Sequence, residues 1–126
     1  MIEIRQVRDP FLAKKICEDN GLKYQNDYHV IATIDNEKTV NHAVYSYAKG
    51  EGAILSISGF NDEIDLLEGL CRAVLNIMDL NGVINVFLPD KYRNLAEKIG
   101  FSSCENGYSL DLDGFFCSRC CCEKEI

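Results

Sequence analysis

Residues 2–7, IEIRQV, alternate apolar and polar positions with a period of two and so predict a strand. Asp9-Pro10 then supplies a helix N-cap followed by proline at the first helical position, where a missing N–H removes no bond. FLAKKICEDN continues as a helix, with Phe11, Leu12, Ile16 and Cys17 expected on its buried side and Gly21 as its stop. YHVIATID and TVNHAVYSYAK are rich in β-branched and aromatic residues and flank a DNEK turn, which predicts a hairpin. A GEG turn at 50–52 leads into a third strand, AILSIS.

From about residue 62 to residue 81 the apolar period becomes that of a helix. Ile64, Leu67, Cys71, Val74 and Met78 make one stripe; Leu66, Leu70, Ala73, Ile77 and Leu80 make another beside it. So wide an apolar face predicts a helix buried over most of its girth, closed by Gly82. VINVFLP is an unbroken apolar strand, the kind found in a sheet covered on both faces. DKYRNLAEKIG reads as a short helix ended by Gly100, and FSSC, ENG and YSLDLDG as a final hairpin. The order β-α-β-β-β-α-β-α-β-β predicts an α/β (α+β) fold with a mixed, mostly antiparallel central sheet and helices on both faces. The 126 residues divide into one domain, 1–114, and a cysteine-rich tail, 115–126.

Charge narrows the partners. Twenty acids against thirteen bases give a net charge of -7, and no basic block occurs. Phosphate neutralisation needs clustered Lys or Arg, so nucleic acid and anionic membrane surfaces are not expected partners. Residues 64–80 are interrupted by Asp65, Glu68, Arg72 and Asp79, which excludes a membrane span there. The first ten residues lack a positive-then-apolar run, and the expected location is cytoplasmic. Seven cysteines in that compartment are expected to be mostly reduced. Cys117, Cys120, Cys121 and Cys122 crowd the tail. The C-x-x-C spacing of Cys117 and Cys120 lets two thiolates meet one tetrahedral ion, so these four are the candidate zinc ligands, with Cys104 or a second chain completing the set. The same spacing suits a thiol–disulfide couple, and a tail of reduced thiols with no chemical role is the third reading.

NLAEKIGF, 94–101, resembles the helix end that runs into Gly-Phe and a strand in the GNAT superfamily of acyl-CoA-dependent N-acyltransferases. VINVFLPDKYRNLAEKIGF is similar to that superfamily's fifth strand and following helix, and the resemblance spans about residues 1–113. It implies transfer of an acyl group from acyl-CoA, typically acetyl-CoA, to a small-molecule or peptide amine, and it is compatible with a homodimer. It also implies that the strand-to-helix junction holds the cofactor, which makes Ile57, Gly59, Phe60, Asn61 and Asp62 the candidate contacts. Backbone N–H groups at a helix N-terminus suit a pyrophosphate. The family's two small loop positions fall here near Asp65 and Leu67, its basic or amide position near Phe60 or Asn61, and no glycine pair is present.

Asp62, Glu63, Asp65 and Glu68 crowd this junction. Each complements the helix dipole by about 0.3–1 kcal/mol, but a carboxylate at about 4 Å from a phosphate is repelled by about 4 kcal/mol before screening. A cationic partner is the functional alternative for these acids. The family's thiolate-protonating Tyr position is occupied by Ala96, leaving Tyr92, one turn earlier, and Tyr108 as the candidate tyrosines. His42 is the candidate base for the amine, with His29 expected near it across the hairpin. The alternative to an enzyme is a non-catalytic module on the same fold that binds a small molecule, a metal through the tail, or a protein partner.

Overall fold

The computed structural model describes residues 2–59 and 64–112. The chain runs β1 (Ile2–Gln6), α1 (Pro10–Asp19), β2 (His29–Asp35), β3 (Lys38–Ala48), β4 (Glu51–Gly59), α2 (Ile64–Leu80), β5 (Asn85–Pro89), a 3-10 turn (Asp90–Tyr92), α3 (Arg93–Ile99), β6 (Ser102–Cys104) and β7 (Gly107–Asp111). The strands form one seven-stranded sheet ordered β1-β2-β3-β4-β5-β7-β6. Every pairing is antiparallel except β4 with β5. α2 supplies the crossover for that pair, and α3 carries the chain from β5 past β7 to the edge strand β6.

Helices cover both faces. α2 and α3 pack over Ile31, Ala43, Tyr45, Ile54, Ile57, Val86 and Leu88, with Leu67, Leu70, Cys71, Val74, Leu75 and Met78 as the buried stripe of α2. α1 covers the opposite face, where Ala13, Ile16 and Cys17 meet Val30 and Val44. The stripe 13-16-17 has the i, i+3, i+4 spacing of one helical face. Phe11 and Leu12 lie off it: Phe11 is 85% exposed and Leu12 43%, contrary to the sequence expectation for both. α1 begins as expected, with Asp9 accepting from the Phe11 N–H at 3.0 Å and Pro10 in the first turn. α3 ends at Gly100, whose φ of 110° lets its own N–H and that of Phe101 both reach the Ala96 carbonyl.

Two bulges shape the sheet. Between β3 and β4, Val44 pairs with Ser56 and Tyr45 with Ile54, leaving Leu55 as the extra residue. Between β2 and β3, Thr33 pairs with Asn41 and Ile34 with Thr39, leaving Val40 extra. A bulge bends its strand and sharpens its twist, and both matter at the site below.

The β2–β3 hairpin turns on Asn36 and Glu37, at φ 51° and 69°, between paired Asp35 and Lys38. Two positive φ values in a two-residue loop favour Asn-Gly. Glu37→Gly is therefore expected to stabilise the fold by about 0.5–1 kcal/mol, raising the calorimetric melting temperature by about 2–4 °C. A fall in melting temperature would contradict this turn geometry.

Candidate active site

The functional geometry begins where β4 leaves β5. The two strands pair only at Glu51–Asn85, Gly52–Val86 and Ala53–Phe87, although β4 continues to Gly59 and β5 to Pro89. Beyond Ala53 the strands part, just before the Leu55 bulge bends β4. Backbone groups facing the gap lose their ladder partners. One of them is replaced by a side chain: the Ile57 N–H donates to the Tyr92 hydroxyl oxygen at 3.0 Å. Tyr92 reaches this amide from the 3-10 turn that follows β5, so the phenol bridges the two parted strands.

The candidates named from sequence separate here. Ile57 and Tyr92 are brought together. Tyr108 pairs with Leu88 and packs against the α2-side core; among the described residues it makes no hydrogen bond to Ile57 or Tyr92. Ala96 is fully buried beneath α2, so the phenol of this site comes from Tyr92. Gly59 ends β4 opposite Asn41. Phe60, Asn61 and Asp62, together with Cys117, Cys120, Cys121 and Cys122, lie outside the described residues.

The acids at the start of α2 have internal partners. Lys98 of α3 sits 3.2 Å from Asp65 and 3.8 Å from Glu68, and Arg72 bonds Glu68 at 3.0 Å. Beside them lies a cavity of about 270 Å³ lined by Ile64, Leu67, Lys91, Tyr92, Arg93 and Asn94. Two cations stand on its wall, Arg93 paired with Glu97 at 3.2 Å and the Lys91 ammonium 5.2 Å from the centre of the Tyr92 ring. An acidic stretch in sequence thus becomes a junction with bases on its far wall. The Glu68–Arg72 pair has i, i+4 spacing and was readable in advance; the Lys98 contact joins residues more than thirty positions apart and left no local signal.

His42 lies on the α1 face of β3, and its surroundings fix its tautomer. The Asn20 amide nitrogen donates to the Ile16 carbonyl at 2.8 Å and lies 2.6 Å from His42 Nε2, while Asn20 Oδ1 accepts from the Ser58 hydroxyl at 2.8 Å. A carbonyl can only accept, so the amide nitrogen must face Ile16 and both its protons are assigned. His42 Nε2 is then the acceptor and its ring proton sits on Nδ1. That is a neutral imidazole whose Nε2 lone pair is held in place by Asn20. Neither Asn20 nor Ser58 was singled out from the sequence, because a helix-end asparagine and a strand serine look ordinary until the fold joins them.

His29 does not join this cluster. It pairs with Tyr45 whereas His42 pairs with Ala32, and the odd offset puts the two histidines on opposite faces. His29 instead stacks on Tyr45 and Tyr47, with ring centres 5.3 and 5.2 Å away. Burial, and then Tyr47 beside it, push the Tyr45 hydroxyl up to about 12, which keeps it protonated.

No metal-binding cluster of His, Cys, Asp and Glu occurs among the described residues. Cys17, Cys71 and Cys104 are free thiols. Burial pushes Cys71 up to about 12, with Arg72 lowering and Glu68 raising it, and burial also raises Cys17. No described helix is long and apolar enough to cross a membrane.

No family model and no curated protein matches the sequence. Solved structures do match. The ribosomal-protein-S18-alanine N-acetyltransferase of Escherichia coli superposes with a TM-score of 0.69 at 16% identity, over 89% of this chain and 94% of that one. A protein of Desulfovibrio desulfuricans assigned to the GNAT family of acetyltransferases gives 0.68 at 17% identity, over 89% and 99%. The E. coli protein YhhK, assigned as an N-acetyltransferase and solved with coenzyme A bound, gives 0.65 at 16%, over 88% and 98%. The fold of this chain is the GNAT acetyltransferase fold.

The thiol environments set a reactivity order. In native protein at pH 8, mass-spectrometric mapping after a short iodoacetamide pulse should find exposed Cys104 alkylated and Cys17 and Cys71 spared until denaturant is added. Rapid native labelling of Cys71 would contradict its burial.

Proposed function

We propose that this chain binds acyl-CoA between β4 and β5 and transfers the acyl group to a primary amine. The observation that carries the reading is the Ile57 amide, released from the ladder by the parting strands and facing Tyr92. A backbone N–H of that kind is suited to a thioester carbonyl, and it needs no particular side chain. Lys91 supplies positive charge beside Tyr92, Arg93 is held by Glu97, and Lys98 and Arg72 pair with Asp65 and Glu68, which lessens the repulsion that these two acids would exert on an anionic cofactor there.

When bound, acyl-CoA supplies the activated carbonyl and a thiolate leaving group. The Ile57 N–H holds the carbonyl oxygen as negative charge develops on it. His42 Nε2 takes the proton released as the amine nitrogen bonds to the carbonyl carbon. Tyr92 gives its phenolic proton to the sulfur as the C–S bond breaks, and Tyr108 has no part in the step. The tail cysteines, as zinc ligands or otherwise, have no role in this reading.

One observation favours a second reading, a GNAT-fold binding module without turnover: the Tyr92 hydroxyl already satisfies Ile57, and Asn20 already occupies His42 Nε2. The two readings part on Tyr92→Phe. For an acyltransferase, acetyl-CoA at 100 times its Kd should add about 2.7 kcal/mol to stability, a melting shift of several degrees, in both wild type and variant. Turnover measured by free-thiol release should fall by about 100-fold or more in the variant. Absence of a melting shift at millimolar acetyl-CoA would sink the cofactor assignment, and equal turnover in the two proteins would remove Tyr92 from the chemistry.

Lys98→Met tests the electrostatics separately. The ion pairs it breaks are partly exposed, so stability should change by less than about 1 kcal/mol. Acetyl-CoA affinity, read from titration of the melting shift, should fall several-fold and more steeply at low salt. An unchanged affinity would mean that Asp65 and Glu68 point away from the bound phosphates.

A further inference from the structure

A cavity of about 460 Å³ lies between α1 and β3, lined by Leu12, Lys15, Ile16, Asp19, Thr39, Val40 and His42. Its size falls in the range of about 300–1,000 Å³ usual for small-molecule sites. The Val40 bulge builds its floor: because Val40 is the extra residue of β3, the consecutive residues Thr39 and Val40 and then His42 all line one space. Leu12 is 43% exposed and Ile16 is buried, so the helix side of the cavity is an apolar wall open to solvent. Exposed Lys15 and Asp19 stand one turn apart on α1 at its rim, and among the described residues neither makes an ion pair. His42 is shared between this cavity and the Asn20–Ser58 cluster, and Ser58 follows Ile57 directly in β4.

We infer that this cavity is the acceptor site and that it takes a primary monoamine with an apolar body, such as an alkylamine or arylalkylamine. The inference rests on the acyl-transfer reading above and adds the substrate class. The apolar body lies against Leu12, Ile16 and Val40. Asp19 attracts the ammonium on approach. The ammonium gives its first proton to water, and His42 Nε2, once Asn20 releases that lone pair, accepts the second as the nitrogen bonds to the acyl carbon. The bond made is N–C to the acyl carbon and the bond broken is C–S; of the two protons the ammonium loses, one goes to water and one to His42, while the sulfur takes the Tyr92 proton. Lys15 beside Asp19 repels a second positive charge, so polyamines and other polycations are poor occupants. The apolar lining gives a second ammonium no partner.

The test measures amine binding without turnover. Phenethylamine, isoamylamine and spermidine are titrated calorimetrically into the full chain, and acetyl-CoA binding is read in parallel from the melting shift. The two monoamines should bind at least tenfold more tightly than spermidine. Asp19→Asn and Leu12→Glu, both at exposed positions, should each weaken phenethylamine binding at least tenfold while leaving the melting temperature and the acetyl-CoA shift unchanged. Lys15→Ala should raise the affinity for spermidine several-fold relative to isoamylamine. Equal monoamine affinity in wild type and both pocket variants, or spermidine binding as tightly as isoamylamine, overturns the inference. Acetyl-CoA binding with no monoamine binding overturns the inference and leaves the acyl-transfer reading standing. Monoamine binding without acetyl-CoA binding overturns the acyl-transfer reading, and the cavity's role as an acceptor site falls with it.

Discussion

A backbone amide removed from a sheet must find another partner, and the Ile57 N–H is where this fold meets that demand. An unpaired buried N–H costs about as much as a lost hydrogen bond, about 1–3 kcal/mol. β4 gives up its partner because the parallel pairing with β5 ends after three residue pairs. The Leu55 bulge turns the strand away, and the Tyr92 hydroxyl then fills the place of the missing carbonyl. The crossover helix α2, the turn after β5 and the position of α3 all have to be where they are for that phenol to arrive. A site built on a released amide is exchangeable in principle, since a hydroxyl oxygen holding one N–H can yield to a carbonyl oxygen of similar reach at little net cost in hydrogen bonds.

Electrostatics at the same junction follow a similar logic of internal substitution. Asp65 and Glu68 stand near the positive end of α2, where the helix dipole favours them. Left alone they would repel phosphate. Lys98 and Arg72 hold them in a small network, and Lys91 and Arg93 stand on the opposite wall of the cavity. Each exposed pair contributes little to stability. Their joint effect is on the field at the junction, because among the described residues these four cations stand with three carboxylates, Asp65, Glu68 and the Glu97 that pairs with Arg93. The net charge of -7 therefore says little about what this particular surface attracts.

Period and turn chemistry made most of the fold legible. The element order, the Asp9-Pro10 start, the DNEK hairpin and the glycine stops at Gly82 and Gly100 are local signals that the structure repeats. Errors arose where a choice of face was needed. Phe11 and Leu12 are apolar, but the helix phase that buries Ala13, Ile16 and Cys17 turns them outward. His29 and His42 lie on paired strands, but an odd register offset separates them across the sheet. The site was less legible still. Tyr92 could be named but not aimed, and the Lys98–Asp65, Asn20–His42 and Ser58–Asn20 contacts join residues that have no relation in sequence. Bulges are the deepest reason: Val40 and Leu55 each shift the alternation of a strand by one, and the sequence of neither strand marks the place.

Two consecutive residues of β4 now connect the two halves of the candidate site. Ile57 offers its N–H to the gap on the β5 side, and Ser58 offers its hydroxyl to Asn20 on the α1 side. The Ile57 N–H lies in the plane of the sheet and reaches toward β5, whereas the Ser58 side chain stands off the face that α1 covers. In the proposed reaction one rigid segment of backbone registers the Ile57 amide against the cluster that holds His42. Reaction geometry that depends on a fraction of an ångström is better set by a strand than by a loop. Asn20 completes the arrangement from the end of α1: with one proton on Ile16 and its oxygen on Ser58, its remaining proton fixes the imidazole as a neutral acceptor. In the proposed reaction Asn20 must release Nε2 before His42 can accept a proton.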